Sequence, residues 1–171
     1  MTRLESGEIA PALAAVPVGP VIEAALDRVP DLGPAGVKLD DDLPPALCDA
    51  MLLEQVLVNV LENAAKYGPP DGLVRVDGRL VEGEIVISVT DEGAGIAAAD
   101  LPHIFDSFYR AQREDRTIPG TGLGLAIARG LTEAMGGRIW AVSPKPNAAR
   151  DAAPGTVIGI ALPRAPVAIP A

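Results

Sequence analysis

The chain has 171 residues, with 14 Lys and Arg against 23 Asp and Glu, so its formal net charge is −9. That length holds one domain with a substantial core, and the negative balance repels both the phosphate backbone of nucleic acid and an anionic membrane surface. The single cysteine, Cys48, excludes an internal disulfide, and no apolar run reaches membrane-spanning or signal-peptide form, so a soluble cytosolic protein without membrane contact is expected.

In chain order, residues 9–18 are apolar and suit an edge strand despite Pro11, residues 21–29 have helical spacing up to Pro30, and residues 36–43 form a short strand that ends at Pro44-Pro45. The strongest helix covers residues 49–67. There Leu53, Val56, Leu57, Val60, Leu61 and Ala64 recur at the spacing of one buried stripe, Asp49 caps the start and Gly68-Pro69-Pro70 stops the end. Asn59, Asn63 and Lys66 project from the opposite side, with Tyr67 at the stripe's edge. Residues 73–79 and 84–90 alternate as strands and, through a short connection, form an antiparallel pair. From Glu92 to Pro119 no sustained pattern appears beyond a short helical turn from Asp100 through Phe108, and a connection of that length serves as a lid or binding loop. A second helix covers residues 121–135 and ends at Gly136-Gly137, and residues 138–142 and 156–162 are the last two strands. Helices inserted among largely antiparallel strands predict an α+β fold with one sheet covered on one face.

The same net charge repels a nucleotide, so a nucleotide site here needs local cations and Mg²⁺. Asn59 and Asn63 lie four apart with Lys66 three further on, one strip of helix surface. An Asn amide oxygen is a hard neutral ligand suited to Mg²⁺, a Lys ammonium neutralises phosphate, and Tyr67 offers a ring to pack on a base. A solvated helix face explains these residues equally well, although two asparagines inside a helix lower its propensity. Asp91 at a strand end can accept from an adenine amino group, and Gly93 and Gly95 let the backbone approach the base; a simple turn explains that segment taken alone.

Gly120-Thr121-Gly122-Leu123-Gly124 runs into a helix whose free amides suit an anion. No strand precedes it, which removes a dinucleotide fingerprint, and no Lys follows it, which removes a P-loop. Phe105 and Phe108, the only two Phe residues, read as a satellite cluster anchoring the loop. Of Arg110, Arg113 and Arg116, Arg110 is the preferred γ-phosphate contact.

Taken in this order, the segments resemble the four nucleotide-binding boxes of the catalytic domain of bacterial sensor histidine kinases, in the ATPase superfamily shared with gyrase-type and Hsp90-type proteins. Asn59 to Tyr67 is similar to the asparagine box, Asp91 to Ile96 to the first glycine box, Phe105 to Arg110 to the phenylalanine box and Gly120 to Leu125 to the second glycine box. The resemblance covers roughly residues 37–163, and residues 104–106 and 136–139 are most similar to the potassium-responsive Kdp-type sensor kinases.

The resemblance implies a two-layer sandwich, a mixed and mostly antiparallel sheet with helices on one face, and ATP held between the helices and a lid at residues 92–120. It implies Asn63 and Asn59 for Mg²⁺, Lys66 and Arg110 for the phosphates, Tyr67 beside the base and Asp91 reading adenine. Gly93, Gly95, Ile96, Gly120, Thr121, Gly122, Leu123, Gly124 and Leu125 would shape the pocket, and Thr156 would hold the base through water. ATP-hydrolysing relatives carry Glu at the position of Asn59, where an amide cannot accept a proton, so free hydrolysis is expected to be slow. The sensor kinases position ATP for attack by a histidine on a neighbouring helical domain.

The only histidine, His103, sits in the lid and reads as a solvated side chain. Residues 2–7 resemble the end of the family's histidine-bearing helix. Residues 1–8 are therefore expected to be the tail of a dimerisation domain, residues 9–163 the catalytic domain and residues 164–171 a flexible tail. The expected protein is a monomeric catalytic domain of a membrane-anchored receptor. It binds Mg-ATP, phosphorylates a histidine on a separate dimerisation domain, serves a response regulator, and is inactive in phosphotransfer without that domain. The rivals are a nucleotide-dependent regulatory binding module without phosphotransfer and an anti-sigma-type protein-serine kinase.

Overall fold

The computed structural model describes residues 9–110 and 120–167. The expectations for residues 1–8 and for Arg113 and Arg116 lie outside the described residues, as does the end of the tail from 168.

The chain begins with a short strand, β1 (Ala14–Val16), and helix α1 (Val18–Asp27). The helix starts three residues before the apolar pattern does and takes in Pro20. Proline is tolerated there because the first turn has no intrahelical partner for its missing N–H. Strand β2 (Ala35–Leu39) follows, then β3 (Ala46–Cys48), which pairs antiparallel with β1 so that Ala14 faces Cys48. That second small sheet has no counterpart among the sequence expectations, because a three-residue strand behind two prolines shows no alternation.

Helix α2 (Ala50–Tyr67) matches its pattern closely. The Asp49 carboxylate caps it, accepting from the Met51 and Leu52 amides, and Gly68 closes it by donating to the Ala64 carbonyl. Strands β4 (Val74–Val81) and β5 (Glu84–Asp91) form the expected hairpin. Glu82 and Gly83 both adopt positive φ, 50° and 84°, as a two-residue turn matched to strand twist requires.

Helix α3 (Gly124–Ala134) begins later than residue 121. Gly122 has φ of +71°, a left-handed conformation that cannot belong to a right-handed helix. At its other end Gly136 (φ 79°) donates to the Glu133 carbonyl and Gly137 to that of Thr132, the paired bonds of a left-handed helix cap. Strands β6 (Arg138–Val142) and β7 (Thr156–Pro163) complete a five-stranded sheet in the order β2-β4-β5-β7-β6. Within it β2 runs parallel to β4 and the remaining pairs are antiparallel.

The inward-facing Val76, Ile85, Ile87, Ile158, Ile160 and Leu162 pack in one buried cluster with Ile22 of α1, Leu53, Leu57 and Leu61 of α2 and Leu131 of α3. This is the expected two-layer sandwich, and it brings the C-terminal end of β5 and the start of β7 to one edge beside the end of α2.

Candidate functional site

At that edge lies a cleft of about 440 Å³, lined by α2, the end of the sheet, the segment after β5, the start of α3 and the β6–β7 loop.

The sheet supplies its floor. Asp91, the last residue of β5, stands in register with Thr156, the first of β7, and both are buried and line the cleft. The Asp91 carboxylate accepts from the Gly93 amide at 2.8 Å, which turns the chain sharply at the strand end. A Cβ on Gly93 would fall 2.6 Å from the Tyr67 carbonyl oxygen, so the first glycine run passes directly against the end of α2. Gly95 has φ of +74°, and a Cβ there would meet the Ser143 hydroxyl at 2.7 Å and the Pro154 ring at 3.0 Å.

Ser143 is the clip in this wall. Its hydroxyl accepts from the Ile96 amide at 2.8 Å and donates to the Gly155 carbonyl at 2.9 Å, while the Gly155 amide donates to the Gly93 carbonyl at 2.9 Å. Ser143, Pro144 and Pro154 all line the cleft, and sequence reasoning missed all three. Their only trace in the sequence is the glycine opposite them, which leaves room for a neighbour that only the fold reveals.

Of the strip on α2, Asn63 and Tyr67 line the cleft. Asn59 is not solvated and not on that lining. It is 8% exposed, its Oδ1 accepts from Gln55 Nε2 at 3.1 Å, and its Nδ2 is buried without a hydrogen-bond partner among the described residues. The stripe that α2 buries is therefore wider than the apolar positions alone indicate. Lys66 is exposed and outside the lining, but its ammonium reaches the second glycine run, 3.6 Å from where a Cβ on Gly120 would sit.

The segment opposite the floor contains one 3₁₀ turn, Leu101–His103, and places Asp100, Ile104, Tyr109 and Arg110 on the cleft. The Tyr109 hydroxyl donates to the Asp100 carboxylate, and that bond above all raises the phenol above its ordinary value, with desolvation and the Asp100 and Asp106 charges adding to it. Phe105 is partly buried against the core, as an anchor should be. Phe108 is not an anchor: it is 72% exposed with φ of +64°. Its backbone makes the connection instead, its amide donating to the Gly122 carbonyl at 3.0 Å.

Gly122 is held to glycine by that approach, since a Cβ would meet the Phe108 carbonyl carbon and the Tyr109 oxygen at 2.9 Å. From the second glycine box only Leu125 lines the cleft; Gly120, Thr121, Gly122, Leu123 and Gly124 do not. Ile96 and Gly95 do, from the first. His103 is exposed, as expected of a solvated side chain, and lies 3.1 Å from the Asp106 carboxylate. Among the described residues no three His, Cys, Asp or Glu side chains gather where they could hold a metal, and no helix is long and apolar enough to cross a membrane.

The profile of the histidine kinase-, DNA gyrase B-, and HSP90-like ATPase family matches residues 48–166. Sensor protein KdpD of Mycobacterium tuberculosis is 38% identical over 146 residues, covering 81% of this chain, and the chain spans only 17% of that relative's length. The expected likeness to Kdp-type sensor kinases is thus found. Among solved structures, the mycobacterial sensor histidine kinase MprB has a TM-score of 0.76 at 32% identity, covering 91% of this chain and 99% of that one. Full-length ShkA, solved in complex with AMPPNP, has a TM-score of 0.77 at 27% identity over 99% of this chain and 35% of that one. The matched profile, the five-stranded mixed sheet under helices and these likenesses agree: the chain belongs to the histidine kinase-, DNA gyrase B-, and HSP90-like ATPase family.

Proposed function

We propose that this chain is the ATP-binding catalytic domain of a sensor histidine kinase, which binds Mg-ATP in the cleft and passes the γ-phosphoryl group to a histidine on a separate dimerisation domain. A response regulator then takes the group onward. The observation that carries this reading is the convergence on one cleft of Asn63 from α2, the buried Asp91 and Thr156 from paired strand ends, and Arg110 from the facing segment.

Asp91 is a buried acceptor on a cleft that Ile96, Ile104 and Pro154 also line, a setting suited to a purine with an exocyclic amine. Thr156 stands beside it to hold the base through water, and Tyr67 packs near the base. Arg110 and Lys66 supply the positive charge that phosphates need in a chain of net charge −9. Gly120 to Gly124 lie outside the cleft lining but run into α3, and their amides are assigned to the phosphate end because the Lys66 ammonium reaches Gly120.

The donor set fits Mg²⁺. One amide oxygen on the cleft, from Asn63, without an acidic cluster, suits an ion that keeps several waters and takes its other oxygens from phosphates. Bound there, the ion would neutralise charge on the β- and γ-phosphates. The chain's own residues orient the γ-phosphorus and exclude water. In the transfer, the bond from the γ-phosphorus to its bridging oxygen breaks, a bond to the acceptor imidazole nitrogen forms, ADP leaves and the imidazole proton passes to solvent. The position of Asn59 holds no carboxylate to take a proton from water, so hydrolysis is slow.

Mixing the chain with the histidine-bearing domain of its parent and γ-labelled ATP is expected to give an acid-labile phosphohistidine on that domain. ATP binding without any transfer would overturn the kinase reading in favour of a nucleotide-dependent binding module.

A further inference from the structure

We infer that the face of the five-stranded sheet turned away from the helices is a docking surface for a protein partner that presents carboxylates beside an apolar side chain. This surface lies outside the cleft, and the inference does not depend on the nucleotide reading.

Strand alternation sets the buried residues of the sheet against the helices and every second residue on the opposite face. The charged residues at those outer positions are Lys38 of β2, Arg75, Asp77 and Arg79 of β4, Glu84 of β5 and Arg138 of β6. Four cations against two carboxylates make this face basic in a chain of net charge −9, so the rest of the molecule is more acidic still. Both carboxylates are already engaged, Asp77 with Arg79 at 4.0 Å and Glu84 with Arg138 at 2.8 Å. Lys38 and Arg75 are exposed and form no ion pair with any described residue. Lys38 is in register with Asp77, two residues along β4 from Arg75, so the two uncompensated charges are diagonal neighbours.

The other half of the face is apolar. Val157 of β7 stands between Thr90 of β5 and Val142 of β6, with Val86 of β5 on the same side of the sheet. Trp140 of β6 lies over Gly159 of β7, where a Cβ would meet the indole at 2.3 Å. The missing side chain lets the ring rest against the strand. Arg138 holds it further, its guanidinium stacked 4.6 Å from the ring centroid and tied to Glu84. An aromatic already fixed in this way has little rotamer freedom to lose on binding, and Trp and Arg are residues that interfaces favour. The open face of an antiparallel sheet is ordinarily polar, so a Trp and three valines beside uncompensated cations mark more than a solvated surface.

Charge selects the occupant. A second copy would bring the same basic face, which repels its like, and the overall charge of the chain repels nucleic acid and an anionic bilayer. A local group of carboxylates on a protein meets Lys38 and Arg75 directly, and an apolar side chain beside it reaches Trp140.

Trp140 is the only tryptophan, so its emission reports on this face. The probe is a peptide of three glutamates followed by three leucines, titrated to millimolar concentration at low salt. Its binding should saturate, and should weaken as salt rises because exposed charge pairs are screened. Lys38→Glu combined with Arg75→Glu should weaken it about tenfold, the scale of several exposed pairs lost and reversed, and the neutral pair Lys38→Gln and Arg75→Gln by about two- to fivefold. A peptide with lysines in place of the glutamates should give no saturable change, and one with serines in place of the leucines should bind more weakly. No saturable response to the acidic peptide overturns the inference, as does an equal response to either control peptide or in both variants. A stronger response to phosphatidylserine vesicles would make the face a membrane contact, and emission that changes with the chain's own concentration would make it a contact between copies. Either result overturns the partner proposed here.

Discussion

The floor of the cleft and the segment that faces it are built by different means. On the floor, Asp91 and Thr156 are consecutive with an eight-residue strand pairing, and the turn beyond them is tied back three times, through Gly93, Ser143 and Gly155. The facing segment has one 3₁₀ turn, one aromatic packed on the core in Phe105, and a backbone bond from Phe108 to Gly122 joining it to the second glycine run. Local opening follows the number of buried contacts that must be broken, so the floor should open only with the whole domain and the facing segment on its own. On the function proposed above, a domain that must bind ATP, meet a histidine and release ADP would have use for that division: one half recognises, the other yields.

The largest effect should come from the helix between the two halves. Asn63→Ala removes the amide oxygen that Mg²⁺ would use and leaves Asp91 and Thr156 untouched, so Mg-ATP should bind roughly 10- to 100-fold more weakly, the scale of a lost bond to a charged group. Adenosine, which needs only the floor, should bind as before. Competitive titration of both ligands checks this, and equal weakening would mean that Asn63 serves the floor and not the metal.

Next come two glycines with nearly the same backbone strain, Gly95 at φ +74° and Gly122 at +71°. An alanine at either is left-handed, at about 1–2 kcal/mol. At Gly95 it also presses on Ser143 and Pro154, in the part tied to the sheet, so the melting temperature should fall, by about 2–4 °C per kcal/mol. At Gly122 it presses on the backbone of Phe108 and Tyr109. There the strain is relieved by letting that segment go. The melting temperature should hardly move, and amide exchange at Phe108 should rise sharply. Equal losses of melting temperature would erase the distinction between the halves.

Much of this could be read in the sequence, and the reasons for the exceptions are local. Helix α2 was legible because its apolar spacing, its Asp49 cap and its Gly-Pro-Pro stop agree, and the β4–β5 hairpin because alternation and a tight Glu82-Gly83 turn agree. Asn63, Tyr67, Asp91, Gly93, Gly95, Ile96, Arg110, Leu125 and Thr156, all expected at the site, do meet at one cleft. The Ser143 and Pro154 wall was invisible because it arises from a loop with no periodicity, and it acts by fitting a glycine 48 positions earlier, as Gly95 and Ser143 show. Phe108 misled because an aromatic in a loop suggests an anchor, whereas here its backbone makes the bond and its ring stays outside. Asn59 misled because hydropathy ranks it with solvent, while a network with Gln55 and Arg28 makes its burial tolerable.

Ser143 offers a milder test of the floor than Gly95. Ser143→Ala leaves the Ile96 amide and the Gly155 carbonyl without their shared partner in a half-buried position, which should destabilise by about 1 kcal/mol, the low end for an unpaired polar group. The melting temperature should drop by about 2–4 °C. A change confined to exchange at Ile96 would instead mean that this turn opens separately from the sheet, and the floor would no longer count as one unit.

The smallest effect belongs to the facing segment and is driven by pH. The Tyr109 hydroxyl is held by the Asp100 carboxylate, which raises its pKa above the unfolded value. For a group raised in this way the folded form binds the proton more tightly. The contribution is therefore complete below the ordinary tyrosine range and is lost as pH rises through the folded value. The Tyr109–Asp100 strap should hold across neutral pH and release only in alkali. The difference between the phenolate titrations of wild type and Tyr109→Phe isolates this group from Tyr67, the other tyrosine. Its midpoint should lie above that of an ordinary tyrosine and return towards it in Asp100→Asn, while exchange at the β5–β7 amides stays unchanged across the transition. If those sheet amides loosened together with the phenol's ionisation, the strap would be part of the floor, and the two halves of the cleft would have to be regarded as one.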